Sequence, residues 1–342
     1  MTMTVRSYYV RAGGGLKSLH LRERELLSPG AGQVLVRIAA TSLNYRERMI
    51  IVDDRYPLPI KRPEFIPVCD GAGEVTAIGP DVTKVGVGDR VAGSVFARWI
   101  DGPFSLEFAD QLGGSLDGML SEHALLDENA VVPIPGHLSY EEAAAYPCAG
   151  VTAWNALTCA SALLPGQDVL VLGSGGVSLF AIQFAKLFGA RVIGTTSSPS
   201  KARKLRDLGA DDVIDYPTTP EWHASVRELT NGRGVDRVIE TGGVDTTSRS
   251  IASIAFGGVI ARVGSLGGSS ESFDPSILRR GVYTWQHVAL GSRAHFKAMN
   301  RAVAHAKLRP VIDRVFEFEE APEAFRYYFD REGVGKVIIR VP

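Results

Sequence analysis

The residues with the clearest chemical meaning form a glycine-rich turn in the middle of the chain. Val169-Leu170-Val171-Leu172 is a continuous apolar run, as expected of a strand buried on both faces, and Gly173-Ser174-Gly175-Gly176-Val177-Ser178 follows it directly. Gly173 would permit a tight turn, and Gly175 would let the backbone approach a pyrophosphate held by the N–H groups that open the next helix. An ordinary turn without a ligand is the alternative. The strand before the turn and the helix after it favour dinucleotide binding.

The stretch after the turn has the periodicity of a helix. Apolar residues recur there at helical spacing, namely Val177, Phe180, Ala181, Phe184, Ala185 and Phe188. Gly189 is predicted to end this helix. Ser178 takes the position where a third glycine or an alanine is usual, and its small side chain still permits close packing of helix and strand.

The end of the following strand indicates which dinucleotide binds. NAD-binding chains usually place Asp or Glu about 20 residues beyond the glycine turn, where it bonds the ribose 2′-hydroxyl. The segment here is Gly194-Thr195-Thr196-Ser197-Ser198-Pro199-Ser200-Lys201-Ala202-Arg203, which holds hydroxyls and cations but no carboxylate. A 2′-phosphate would meet hydroxyls, a helix start capped by Ser198 and a cation together. The segment predicts NADP(H) over NAD(H), although Lys201 and Arg203 also suit a solvated helix face.

Alternating strands and helices would position these residues. Ser139 and Glu142 match a capping box and predict a helix over 141–146. Beyond it, strands are predicted at 169–172, 191–195, 212–214, 235–240, 259–263 and 283–290. Amphipathic stretches lie between most of them, which indicates parallel strands with crossover helices in a doubly wound α/β sheet.

Both ends of the chain are predicted to be rich in strands and turns, without the alternating helices of the middle. Short β-branched runs at 34–38, 73–78 and 90–92 are separated by turn residues, which predicts a β-rich, barrel-like unit. The terminal run 335–341 is predicted to be a closing strand of the same unit, so that the α/β half is inserted in the chain.

Composition excludes several classes of protein. The chain has 342 residues, a net charge of −1 and no basic block, so a nucleic-acid partner is not expected. No window is apolar enough to cross a membrane and the first residues lack a signal-peptide core, which predicts a cytoplasmic protein. The three cysteines are widely spaced, so no disulfide framework is expected.

In these motifs the chain resembles the medium-chain dehydrogenase/reductase superfamily, in particular its zinc-independent quinone-oxidoreductase-like and alcohol-dehydrogenase-like branch. The matching stretches lie, in the family's order, at 42–46, 70–75, 88–91, 147–154, 173–177, 236–243 and 335–337. The resemblance implies a GroES-like catalytic domain at 1–147 and 293–342, a Rossmann domain at 148–292, and a homodimer or homotetramer. It also implies a small-molecule substrate.

The resemblance extends to individual cofactor contacts. It implies that Lys201 and Tyr216 hold the 2′-phosphate and that Thr152 contacts the nicotinamide. The segments containing Thr241 and Gly242, and Gly264, Ser265 and Leu266, would line the ribose and nicotinamide.

Zinc-bearing relatives use Cys, His and Cys as catalytic metal ligands. In this chain Asn44, Cys69 and Cys148 fall at those positions. Asn44 is a poor zinc ligand, and catalytic zinc needs three protein ligands and an open position. Asp70, next to Cys69, could be imagined as a third ligand. No zinc is therefore predicted, and Cys148 is interpreted as a small buried residue.

Without a metal, reduction of a carbonyl or an enone needs donors at the oxygen that gains charge. The resemblance implies that this stretch faces the substrate cleft, so Tyr45 is predicted to donate a proton or hydrogen bond, and Asn44 to orient the substrate or the nicotinamide ribose. Packing of their loop is the alternative for both, and water could be the proton donor.

Three functions stay open: an NADPH-dependent reductase of quinones, enones or aldehydes, an NAD(P)-dependent alcohol dehydrogenase, and a crystallin-like or redox-sensing protein that binds NADPH without turnover.

Overall fold

The computed structural model describes residues 4–264, 276, 279, 281–330 and 333–342. The chain divides into two compact units, one of residues Met1–Val151 with Ser292–Pro342 and the other of Thr152–Gly291. We call them the terminal unit and the central unit. The functional assignment of the predicted domains, 1–147 with 293–342 and 148–292, stays a prediction.

The strands, in chain order, are β1 (Thr4–Tyr9), β2 (His20–Glu25), β3 (Gln33–Ser42), β4 (Asp70–Ile78), β5 (Arg90–Gly93), β6 (His123–Asp127), β7 (Val131–Pro133), β8 (Asp168–Val171), β9 (Arg191–Thr196), β10 (Asp212–Asp215), β11 (Val235–Glu240), β12 (Ile254–Arg262), β13 (Thr284–His287), β14 (Ile312–Glu317) and β15 (Lys336–Arg340). The α-helices are α1 (Tyr45–Ile51), α2 (Tyr140–Ala144), α3 (Val151–Thr158), α4 (Gly176–Leu187), α5 (Pro199–Asp207), α6 (Trp222–Leu229), α7 (Val244–Ser253), α8 (Arg293–Ala306) and α9 (Ala321–Phe329).

The central unit contains a parallel sheet with the strand order β10-β9-β8-β11-β12-β13 in the described part of the chain. This is the 3-2-1-4-5-6 order of dinucleotide-binding doubly wound folds. Its core includes Leu170, Ile193, Val238 and Ile260 from four adjacent strands. The predicted doubly wound α/β fold is confirmed.

One predicted strand of this sheet is too long. Extended structure was expected over 283–290, but β13 covers Thr284–His287. Leu290 has φ +97°, in a region that extended strands do not use, so the chain leaves the sheet before it.

The terminal unit is built mainly on antiparallel strands, with β14 and β15 paired in parallel. Its larger sheet has the order β14-β15-β3-β4-β5-β7, with β6 also paired to β3, among the described residues. Strand β15 pairs antiparallel with β3, with Arg340 opposite Ala40 and Ile338 opposite Ser42. The end of the chain therefore returns to the sheet formed by its beginning, as predicted.

The capping box that opens α2 is present. The Ser139 hydroxyl accepts from the Glu142 N–H at 3.2 Å, and the Glu142 carboxylate accepts from the Ser139 N–H at 2.9 Å. The helix is shorter than predicted because a π-helical turn, Tyr146–Gly150, follows it. Within the described residues, no helix has the length and apolar character needed to span a membrane.

Candidate active site

The glycine turn of the central unit is open where an anion would bind. Gly173 has φ +72°, a conformation that strongly favours glycine, and a Cβ built on Gly173 or Gly175 would meet only open space. Gly175 is the N-cap of α4 and no side chain caps this helix start. The N–H groups of the first helical turn therefore remain available to a ligand.

Neighbouring strands fix the turn from both sides. The Gly173 N–H donates to Thr195 Oγ1 of β9 at 3.2 Å, and Thr241 Oγ1, just beyond β11, donates to the Leu172 carbonyl at 3.0 Å. The Ser178 hydroxyl donates to the same carbonyl at 2.7 Å. Serine at the third position of the motif thus adds a bond that glycine or alanine would lack.

The predicted 2′-phosphate residues lie together at the carboxyl end of β9. Ser198 caps α5 by accepting from the Lys201 N–H at 3.4 Å, and Lys201 and Ser197 are half-buried. Thr196 Oγ1 is buried with no hydrogen-bond partner among the described residues. The Tyr216 N–H donates to the Thr196 carbonyl at 3.0 Å, and its side chain is 41% exposed. Their contacts with a cofactor stay a prediction.

One acidic residue near this group was not predicted from the sequence. Asp215, the last residue of β10, pairs directly with Thr196. Its Oδ1 atom is buried and has no hydrogen-bond partner in the described structure. Parallel pairing of adjacent strands was the available signal, because it brings the carboxyl ends of β9 and β10 side by side.

A buried carboxylate shapes the turn after β11. Glu240 Oε1 accepts from the Gly242 N–H at 2.7 Å, the Gly243 N–H at 3.1 Å and the Thr246 hydroxyl at 2.6 Å. Ser250 donates to the other carboxylate oxygen. Glu240 was not predicted as a site residue, because a buried acid in a strand is unusual and no motif marked it.

The turns after β11 and β12 also meet. A Cβ built on Gly264 would lie 2.7 Å from the Thr241 carbonyl oxygen, so glycine permits this approach. Thr152 is buried in the first turn of α3. Ser265 and Leu266 lie outside the described residues.

In the terminal unit, Asn44 belongs to a buried polar cluster. Its Nδ2 donates to Asp70 Oδ2 at 2.8 Å, and its Oδ1 accepts from Lys336 Nζ at 2.5 Å. Lys336 also donates to the Leu43 carbonyl at 2.8 Å and lies 3.5 Å from Asp70 Oδ2. Asp70 and Lys336 are 0% and 3% exposed, so this pair is shielded from water. We call Asn44, Asp70 and Lys336 the buried triad.

Two thiols lie beside this triad. Single ligand atoms of Cys69, Asp70 and Cys148 all lie within 4.8 Å of one another. Cys69 donates to Asp70 Oδ1 at 3.5 Å. Burial raises the pKa of the Cys69 thiol well above its usual range, against the lowering effect of the Arg46 guanidinium. The neutral thiol is thus favoured over the thiolate.

Tyr45 begins α1 next to the triad. Its hydroxyl accepts a hydrogen bond from Arg55 Nη2 at 2.6 Å, and its side chain is half-buried. The preceding Asn44 N–H donates to the buried Glu47 carboxylate at 2.7 Å. The Tyr45 phenol is therefore attached to the first residue of a helix whose start is fixed by the hydrogen bond between Asn44 and Glu47.

Comparison with known proteins identifies the family to which the chain belongs. Residues 30–136 match the alcohol dehydrogenase GroES-like domain, and residues 176–305 match the zinc-binding dehydrogenase family. The chain is 39% identical to a zinc-type alcohol dehydrogenase-like protein of Schizosaccharomyces pombe, covering 91% of each chain. It belongs to the medium-chain dehydrogenase/reductase superfamily. The expected family and its GroES-like domain are thereby confirmed.

Other members of the superfamily match over nearly the whole chain. A quinone oxidoreductase of Pseudomonas aeruginosa is 31% identical, covering 96% of this chain and 97% of its own. An acryloyl-coenzyme A reductase of Metallosphaera sedula is 30% identical over 95% and 97%. This medium-chain dehydrogenase/reductase is accordingly an oxidoreductase.

Two solved structures bear on the cofactor. An NAD-dependent alcohol dehydrogenase matches with a TM-score of 0.88 and 34% identity, covering 98% of this chain and 100% of its own. A mycobacterial protein complexed with NADPH matches with a TM-score of 0.82 and 26% identity, covering 98% and 99%. Each of these two neighbours is thus described with a nicotinamide dinucleotide, NAD for one and NADPH for the other.

Replacing Lys336 with Met should destabilise the protein in a pH-dependent way. The substitution leaves the Asp70 carboxylate buried without its cation, which should lower the free energy of unfolding by about 3–5 kcal/mol at neutral pH. Burial already raises the pKa of Asp70, and loss of Lys336 should raise it further. The folded state then binds a proton that the unfolded state releases, so the penalty should grow as pH rises above the ordinary aspartate value.

Thermal unfolding between pH 5 and pH 8 measures this effect. Lys297→Met removes an exposed cation of α8 and is the matched control. A loss of stability in Lys336→Met that is equally large at both pH values would contradict the role of Asp70. Adding Asp70→Asn should remove most of the pH dependence.

Proposed function

We propose that this enzyme is an NADP(H)-dependent reductase of small carbonyl-activated substrates, namely enones, enoyl thioesters, quinones or aldehydes, and that it works without catalytic zinc. The main support is the carboxyl end of β9, where Thr196, Ser197 and Ser198 lead into α5 and Lys201 with no carboxylate among them. Quinone and acryloyl-coenzyme A reductases among the relatives support this substrate class.

NADPH supplies the hydride when it is bound, and the protein must orient the substrate and manage charge on its oxygen. We assign the donor role to the Tyr45 hydroxyl, which is half-buried at the start of α1. Both ends of the Asn44 amide are already hydrogen-bonded within the triad. Asn44 therefore acts by fixing the backbone that carries Tyr45.

The donor set argues against a catalytic zinc. Asp70 is already paired with Lys336 and hydrogen-bonded to Asn44. Without Asp70 only two thiols remain, one fewer than the three protein ligands of catalytic zinc sites. The close spacing of Cys69, Asp70 and Cys148 would allow a metal, but their partners oppose it.

Oxidation of alcohols with NAD(H) is the second candidate. Asp215 beside Thr196 places a carboxylate near the proposed 2′-phosphate, and an NAD-dependent alcohol dehydrogenase is among the structural matches. The same catalytic residues would serve both directions. We further propose a homodimer or homotetramer, on the strength of the family resemblance.

Reductase activity is tested by NADPH oxidation with a panel of enones, enoyl thioesters, quinones and aldehydes, and by NAD(P)⁺ reduction with alcohols. We expect turnover with members of the first panel and a loss of about 10²-fold in kcat for Tyr45→Phe, since a positioned acid contributes roughly that much. Tyr328→Phe, a phenol on α9, is the control. Turnover of alcohols alone would favour the second candidate, and binding of NADPH without any turnover would leave a non-catalytic role.

Cofactor choice is tested by Lys201→Ala. Loss of one charge-assisted contact should raise the KM for NADPH about tenfold and change the KM for NADH less than about twofold. Arg203→Ala removes an exposed cation two residues further along α5 and should change neither constant. Equal shifts for both cofactors in Lys201→Ala would contradict the 2′-phosphate assignment.

Metal dependence is tested on protein purified from zinc-supplemented medium. We expect substoichiometric zinc by elemental analysis and unchanged kcat after dialysis against a chelator, because Asp70 is paired with Lys336 and hydrogen-bonded to Asn44. One zinc per chain, lost together with activity in Cys148→Ser, would overturn this proposal. Cys159→Ser is the thiol control.

A further inference from the structure

The terminal unit has an open surface cavity that the proposed chemistry does not use. Its volume is about 670 Å³, within the range of small-molecule sites. Two segments line it, contributing among others Arg11, Gly13, Gly14 and Lys17 from one and Lys61 and Arg62 from the other. The lining includes four cations and no acidic residue. We call it the basic cavity.

The walls of the basic cavity are joined by backbone hydrogen bonds. Val10 and Phe65, which adjoin the two lining segments, exchange N–H to carbonyl bonds of 3.0 and 3.1 Å. The Gly13 N–H donates to the Ile50 carbonyl at 2.9 Å, which ties one wall to the last turn of α1. The cavity therefore lies at the carboxyl end of the helix whose first residue is Tyr45.

Positive charge in the basic cavity is only partly neutralised. Lys61 pairs with Asp110 at 2.6 Å and Arg62 with Asp117 at 3.0 Å. Arg11 and Lys17 are exposed and have no ion-pair partner in the described structure. One carboxylate, that of Asp54, lies close to the cavity wall at Gly13. Its Cγ is 3.1 Å from a Cβ built on Gly13. The cations that remain, Arg11 and Lys17, suit a phosphate group.

We propose that the basic cavity binds the phosphate groups of coenzyme A, so that the substrate is an enoyl thioester carried on that molecule. This assignment rests on the proposed reductase function and narrows its substrate class. The cavity is much larger than a phosphate ion and fits a phosphorylated nucleotide. Helix α1, of seven residues, separates it from Tyr45 by about 10 Å, which the pantetheine arm of coenzyme A can span.

The experiment compares crotonyl-CoA with crotonyl-pantetheine, which carries the same acyl group and arm without phosphates. In the wild type, the KM for crotonyl-CoA should be about tenfold lower. The double variant Arg11→Ala/Lys17→Ala should raise the KM for crotonyl-CoA roughly tenfold, and 0.5 M NaCl should have a similar effect. In the double variant, the kcat and the KM values for crotonyl-pantetheine and NADPH should not change.

Lys297→Ala/Arg301→Ala is the matched control, since it removes two exposed cations of α8 that have no ion pair in the described residues. Equal KM values for the two thioesters in the wild type would overturn the coenzyme A site. So would a double variant that behaves like the control. In either case reduction of crotonyl-pantetheine would show that the reductase function stands.

If neither thioester nor any enone consumes NADPH, the proposed function fails, and calorimetry with coenzyme A alone decides the site. Binding by the wild type and the control, together with a loss of about tenfold in the double variant, supports the site. Absence of binding, or equal binding by all three proteins, overturns it. Competition by inorganic phosphate as strong as that by coenzyme A would reassign the cavity to free phosphate.

Discussion

An anion can bind at the start of α4 only if the first N–H groups of that helix have no other partner, and the central unit meets this constraint with an uncapped glycine. An uncapped turn is loose by itself. Here Thr195 holds it from β9 and Thr241 from the end of β11, so its shape does not depend on the ligand. These strands flank β8 on opposite sides, at the point where the strand order of the sheet reverses.

Rigidity in the terminal unit comes from buried charge. A lysine and an aspartate that are both shielded from water lose much hydration, and their mutual attraction offsets this loss only with good hydrogen bonds. Asn44 provides them, since its amide donates to Asp70 and accepts from Lys336. Lys336 comes from the last strand and Asn44 from the residue before α1, so the end of the chain fixes the backbone beside Tyr45. The same interactions occupy the carboxylate that a metal would need.

The sequence predicted most of the fold because its signals were local. The apolar run before Gly173, the helical spacing after it and the Ser139–Glu142 pair each determine structure within a few residues. The buried triad was not predicted, although Asn44, Asp70 and Lys336 all lay in recognised motifs, because their contact joins residues far apart in the chain. Lys336 gave a partial signal, since a cation beside Val337-Ile338-Ile339 in a predicted strand must either reach water or find a buried partner. Asp215 was missed for the same reason, because only strand pairing reveals its neighbour.

Asp215 is the main argument against NADP(H), because its negative charge would repel a 2′-phosphate. The burial of its Oδ1 atom bears on how closely the two groups can approach. A carboxylate facing a 2′-phosphate would repel it, but Asp215 Oδ1 is enclosed by protein atoms. Lys201 is only half-buried, and Ser197 beside it presents a hydroxyl. A ribose phosphate approaching the end of β9 therefore meets the cation and the hydroxyls before it meets the enclosed carboxylate oxygen. Lys201 and Ser197 can contact a phosphate from the solvent side, whereas Asp215 Oδ1 is enclosed and cannot accept from a ribose hydroxyl, which supports the proposed phosphorylated cofactor.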